Sequence, residues 1–222
     1  MATLHVLRVF TDEAGAWGNP LGVFLDGAEV PAERRQEVAA DLGFSETVFV
    51  DDLDSGACRI FTPGSELGFA GHPSVGTAWL LAREEVAIET LRPPAGDVAV
   101  RFDGELTFIV ARPEWSPPWH VVQMDDPAAI DALDGPPPGL DEVYCWAWED
   151  EAAGVVRSRC FAIEDGVGED EATGSAAIVL SAELDRELTI HQGAGSLLWA
   201  RPVGDGTAEV GGRCALDEVR EY

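Results

Sequence analysis

Short runs of branched and aromatic apolar residues, separated by polar turns rich in glycine, proline and acids, set the rhythm of this chain. Leu4–Phe10, Leu21–Leu25, Glu46–Val50 and Ala57–Phe61 read as strands, each a handful of β-favouring residues bounded by turn residues. Thr11–Asn19 is a polar loop, and Gly18-Asn19-Pro20 is turn chemistry. Pro31–Leu42 predicts a helix, with proline suited to its first turn and Gly43 to its stop. The second half repeats the plan loosely. Strands are expected at Val98–Phe102, Leu106–Ala111, His120–Gln123, Val143–Trp148, Val155–Ile163, 187–191, 196–201 and 207–210. Glu164–Glu171 reads as a polar turn, and Asp134–Gly139 as an exposed loop.

Two segments break the period of two. Ser74 to about Arg83 and Thr173 to about Leu184 are helical patterns, apolar on nearly every side after an opening of small residues. A helix without a polar face must be buried, and here its neighbours in sequence are strands. Each half therefore predicts one central helix wrapped by a mostly antiparallel curved sheet. This is an α+β architecture of two similar domains, not the strand–helix alternation of a doubly wound sheet. Pro113–Pro118 is the natural break, giving domains 1–113 and 114–222.

Charge narrows the chemistry. Fourteen basic against 41 acidic residues leave a formal charge of −27, and every basic residue is arginine. Such a surface repels nucleic acid and anionic membranes, so neither is an expected partner. An anionic substrate would need local positive potential at its site. Without lysine there is no Schiff-base chemistry, including the usual pyridoxal phosphate linkage. Cys58, Cys145, Cys160 and Cys214 form no metal-ligand spacing and are expected as buried free thiols, with no metal and no cofactor. No apolar run is long enough to span a membrane and no signal-peptide pattern opens the chain, which predicts a cytoplasmic protein.

Four segments carry candidate chemistry, each with an ordinary alternative. Gly71-His72-Pro73-Ser74-Val75-Gly76 opens the first buried helix. Its free N–H groups could bind an anion with His72 at the mouth, or it is a Gly-Pro helix start with a surface histidine. Thr173-Gly174-Ser175-Ala176 opens the second in the same style, and two such starts facing each other would hold a carboxylate. Glu46, in Phe44-Ser45-Glu46-Thr47-Val48-Phe49, is an acid at the edge of an apolar strand. That setting suits proton transfer, and equally an exposed glutamate at a strand start. Glu169-Asp170-Glu171 precedes the second helix, where acids also serve as dipole complements. Ser74 could mark a hydrolase nucleophile elbow, but the strand and the α/β alternation that such an elbow needs are missing.

Taken in order, these segments resemble the PhzF (phenazine-biosynthesis-like) family, which shares the diaminopimelate-epimerase fold. The resemblance runs over Gly18-Asn19-Pro20-Leu21, Phe44–Phe49, Phe69–Ala78, Glu169–Ala176, Gln192-Gly193 and Arg201-Pro202. It implies two similar domains facing each other across a cleft in a homodimer, and a cofactor-independent isomerase. It implies Glu46 as the acid/base, His72 and Asp170 beside it, and Gly71, Gly174, Ser175 and Ala176 holding a small carboxylate-bearing substrate. Fold-mates that epimerise amino acids use paired cysteines where this chain has Ala70 and Glu171, so two-thiol chemistry is not expected. The family pattern has proline at the position of Glu171. A non-catalytic binding dimer of the same fold and a serine hydrolase using Ser74 are the alternatives.

Overall fold

The computed structural model describes residues 2–164 and 166–222; Asp165, within the polar turn expected over 164–171, lies outside the described residues, as does Met1. The first half holds β1 (Thr3–Thr11), β2 (Asn19–Phe24), α1 (Arg35–Leu42), β3 (Glu46–Asp52), β4 (Ala57–Phe61), β5 (Glu66–Leu67), α2 (Gly71–Arg83), β6 (Thr90–Leu91), β7 (Val98–Asp103) and β8 (Leu106–Ala111). The second holds β9 (His120–Gln123), α3 (Pro127–Asp131), β10 (Glu142–Asp150), β11 (Val155–Ala162), β12 (Gly168–Asp170), α4 (Gly174–Leu184), β13 (Leu188–Gln192), β14 (Ser196–Gly204) and β15 (Thr207–Glu221).

The strands hydrogen-bond in the order β5-β4-β3-β2-β1-β15-β14-β13-β11-β10-β9, with β8, β7 and β6 branching from β15. Pairing is antiparallel except at β2–β3, β9–β10 and β11–β13. Strand β1 shows why the sheet folds around a helix. Leu4 and Val6 face an outer apolar cluster that includes Val38 and Ala39 of α1, whereas Leu7 and Val9 face the inner core with α2. A strand covered on both faces carries apolar residues of both parities, as β1 does with Leu4 and Val6 on one side and Leu7 and Val9 on the other. Helix α2 lies close against it: a Cβ on Gly76 would stand 2.5 Å from Leu21 Cδ2 and 2.6 Å from Val9 Cγ2. Helix α4 packs against β14 and β15 in the same manner.

The structure departs from the sequence expectation at several boundaries. Strand β15 runs to Glu221 rather than stopping near residue 210. Its first part pairs with β14 and β8, and residues 213–221 pair with β1 of the first half. Helix α2 starts at Gly71, three residues earlier than the apolar pattern suggested. Pro73 falls in its first turn, where a missing N–H costs nothing. Pro31 precedes a single 3-10 turn, and α1 begins only at Arg35; Gly43 stops it in the left-handed region at φ 68°. The short α3 and strand β12 were not anticipated. All four cysteines are free, and burial pushes the Cys58 thiol up to about 12. Among the described residues no helix is long and apolar enough to cross a membrane.

Candidate active site

The starts of α2 and α4 touch. A Cβ on Gly71 would lie 2.6 Å from the Gly174 carbonyl carbon and 2.7 Å from Ser175 N. A Cβ on Gly174 would lie 2.9 Å from His72 N. Only glycine at both positions permits this approach, which is the physical reason for a small residue at each start. The first N–H groups of a helix have no partner within it, so two sets of them meet here.

Above this contact lies a cavity of about 30 Å³. Its lining mixes polar residues, among them Ser45, Glu46, His72, Asp170, Thr173 and Ser175, with the apolar Leu67, Phe69, Val167 and Trp119. Glu46 is the first residue of β3, paired with Leu21 of β2, and its side chain is 14% exposed. Its Oε2 lies 3.3 Å from Nδ1 of His72, a residue in the first turn of α2. His72 is 2% exposed, and burial lowers its pKa to about 4 against the pull of Asp170, so the ring is neutral at physiological pH. No hydrogen-bond partner faces its Nε2 among the described residues.

Asp170 ends β12, opposite Cys160 of β11. It is buried, and its pKa is raised to about 6. Loss of hydration is the main cause and the charge of Glu46 the second; His72, Thr173 and Asn19 pull the other way. Asn19 Nδ2 donates to Asp170 Oδ1 at 2.6 Å and Thr173 Oγ1 donates to Oδ2 at 2.6 Å. The neighbouring Glu171 turns away. Its carboxylate accepts from the backbone N–H groups of Ala194 and Gly195 and from Ser196 Oγ, fastening the β13–β14 turn.

Gly71, His72, Gly174 and Ser175 thus share the cavity with Glu46 and Asp170, whereas Ala176 is buried in the core beneath them and does not line it. Ser74 Oγ donates to Ala70 O at 2.7 Å inside α2, a buried intrahelical bond that leaves it outside the cavity lining. Four contributors had no assigned role in the sequence reading. Ser45 Oγ donates to Asn19 Oδ1 at 2.9 Å, and Asn19 reads locally as turn chemistry. Gln192 is fully buried and clamps the turn before α4. Trp119 Nε1 donates to Ser175 Oγ at 3.2 Å. The Gln192-Gly193 pair at the end of β13, one of the segments that carry the family resemblance, was the available signal. Among the described residues no group of three or more His, Cys, Asp or Glu side chains is arranged to hold a metal ion.

Residues 7–120 match the family model described as phenazine biosynthesis-like protein. The chain is 33% identical to a trans-2,3-dihydro-3-hydroxyanthranilate isomerase of Pseudomonas aeruginosa, over 79% of this chain and 77% of that protein. Among solved structures it superimposes on a PhzF-family phenazine biosynthesis protein of Bacillus anthracis with a TM-score of 0.78 at 19% identity, covering 100% of this chain and 98% of that one. A predicted epimerase of Pseudomonas aeruginosa matches with a TM-score of 0.73 at 24% identity, covering 100% and 99%.

Proposed function

The chain belongs to the phenazine biosynthesis-like (PhzF) family and is an isomerase, and on that premise we propose that it moves a proton on a small carboxylate-bearing substrate, without a cofactor, with Glu46 as the carrier. The observation that carries this reading is the convergence of Glu46, His72 and Asp170 on one cavity at the joined helix starts. Glu46 takes a proton from a substrate carbon and returns it to a nearby carbon. Negative charge that develops between the two steps faces the helix-start N–H groups of Gly71, His72, Gly174 and Ser175, which have no partner within their own helices. Donors placed in advance at such a charge supply about 3–4 kcal/mol each to comparable reactions.

The lining sets the substrate class. No arginine lines the cavity, and His72 is neutral. A substrate carboxylate is therefore held by N–H and hydroxyl donors at the helix starts rather than by an ion pair. The apolar part of the lining, Leu67, Phe69, Val167 and Trp119, suits a ring or alkyl portion. Ordinary ligand pockets enclose about 300–1,000 Å³, so the walls must part before a ring can enter this one. A homodimer in the cytoplasm is the assembly and setting that this reading expects.

The test is proton exchange. trans-2,3-Dihydro-3-hydroxyanthranilate, the compound named for the Pseudomonas aeruginosa relative, and a panel of cyclic carboxylates are incubated with the protein in heavy water and followed by proton NMR. Isomerisation with deuterium entering the product, abolished by Glu46→Gln, is the expected result. A carboxylate that binds without exchange would instead make the protein a binding module. Unchanged turnover in Glu46→Gln would move the proton to His72 or Asp170.

A further inference from the structure

Two buried amides surround Asp170, and backbone groups settle the orientation of both. Gln192 Oε1 accepts from Thr173 N at 3.1 Å, and its Nε2 donates to Asp170 O at 3.0 Å. A backbone N–H can only donate and a carbonyl can only accept, so the amide cannot be flipped. The second Nε2 hydrogen goes to Thr173 Oγ1 at 2.9 Å. A hydroxyl has one hydrogen, and with Gln192 donating into its lone pair that hydrogen is directed at Asp170 Oδ2, 2.6 Å away.

Asn19 repeats the arrangement from the first half of the chain. Its Nδ2 donates to Ala172 O at 3.0 Å, which fixes its orientation, and the other hydrogen goes to Asp170 Oδ1. Ser45 Oγ donates to the Asn19 carbonyl oxygen. Both carboxylate oxygens of Asp170 therefore face donors whose polarity is set elsewhere. With both Nδ2 hydrogens committed, Asn19 has none left for His72 Nδ1 at 3.5 Å.

We propose that Gln192 is a positioning residue of the site: by donating to Thr173 it turns the Thr173 hydroxyl onto Asp170 and, with Asn19 on the other oxygen, holds Asp170 as a proton acceptor. A proton that Asp170 gains then comes from the cavity, not from these protein neighbours. This rests on the reading of Asp170 as part of the active site. The interactions oppose the burial that favours the protonated acid, so Asp170 stays usable as a base near neutral pH instead of being locked as a neutral acid. The titratable groups whose charge reaches it are Glu46 from β3, His72 from α2, Cys160 from β11 and Tyr144 from β10. None of them is altered in the variants below.

The experiment titrates the Asp170 carboxyl in the substrate-free protein by carbon-13 NMR with labelled aspartate, its resonance assigned by loss in Asp170→Asn. The wild-type midpoint is expected near 6. Thr173→Val, which removes the hydroxyl, should raise the midpoint by about one to two pH units, the scale of one hydrogen bond to a charged group. Thr173→Ser should restore it to within a few tenths. Gln192→Met should raise it in the same direction as Thr173→Val, because the hydroxyl is then free to rotate and accept from the acid. If Gln192→Met lowers the melting temperature but leaves the midpoint at its wild-type value, Gln192 is scaffolding and the proposal fails; an unmoved midpoint in Thr173→Val defeats it as well. Should Gln192→Met not fold, the wild-type proton spectrum decides. A slowly exchanging, downfield Thr173 hydroxyl proton supports the proposal, and a hydroxyl averaged with solvent overturns it. Because no substrate is present, this outcome is separate from the Glu46→Gln test of the isomerase reading.

Discussion

The two helix starts are built alike and equipped differently. At α2, His72 is buried beside Glu46, neutral, with no partner at Nε2 among the described residues. At α4, Asp170 is braced at both oxygens, and the turn that carries it is clamped by Gln192. Similar backbone geometry thus supports a buried neutral histidine beside Glu46 on one side and a carboxylate hydrogen-bonded at both oxygens on the other. A repeated scaffold brings the two helix starts together, while the side chains around each copy set the polarity and protonation of the group it presents.

The strongest way to break the comparison is to remove the mobile proton from the α2 side. Glu46→Gln keeps size and hydrogen-bonding shape but cannot carry a proton. Isomerisation and deuterium incorporation should fall by roughly a hundred- to ten-thousand-fold, with the melting temperature nearly unchanged. The matching Gln substitution at Glu171 should leave turnover within about twofold, since that carboxylate serves the β13–β14 turn.

The two sides should also respond oppositely to pH. Asp170 titrates at about 6 in place of 3.8, so the stability it contributes is complete below about 3.8 and lost as pH rises through 6. His72 titrates at about 4 in place of 6.5, so its contribution is complete above 6.5 and lost as pH falls through 4. Each amounts to roughly 3 kcal/mol, and between pH 4 and 6.5 they offset each other. Urea unfolding at a series of pH values should show Asp170→Asn gaining stability relative to wild type as pH rises from 4 to 7. His72→Asn should gain relative to wild type as pH falls over the same range. Parallel curves would mean that the two groups do not titrate in opposite senses.

Smaller effects sharpen the picture. Gly71→Ala drives a Cβ to 2.6 Å from the backbone of Gly174, so the helix starts must separate. A loss of about 1–3 kcal/mol is expected in denaturant unfolding, with Gly174→Ala milder because its nearest clash is 2.9 Å. Equal losses would show that the contact is not the limiting one. Glu171→Gln should cost least, about 1 kcal/mol, through weaker bonds to the Ala194 and Gly195 N–H groups.

Much of this was legible in the chain itself. The strand rhythm, the two helices without a polar face, and the Gly-rich starts at Gly71 and Gly174 follow from local chemistry, because burial on all sides demands apolar or small residues wherever the element lies. The ordered segments from Gly18 to Pro202 carried the family resemblance. Tertiary structure decided the rest. The polar tail of β15 becomes a strand because β1 offers it a ladder; its end is exposed, so no apolar alternation marks it. Helix α3 is five residues long, too short for a helical period, and is held by the Asp126 cap on Ala129 N. Local chemistry does not separate the adjacent acids Asp170 and Glu171; the resemblance named Asp170, and the fold puts it in the cavity lining and Glu171 on the β13–β14 turn. Asn19 and Gln192 read as a turn residue and a strand glutamine. Their contacts with the Asp170–Thr173 turn span 151 and 19–22 residues, and a polar side chain's partner at that distance is set by packing, not by its neighbours in sequence.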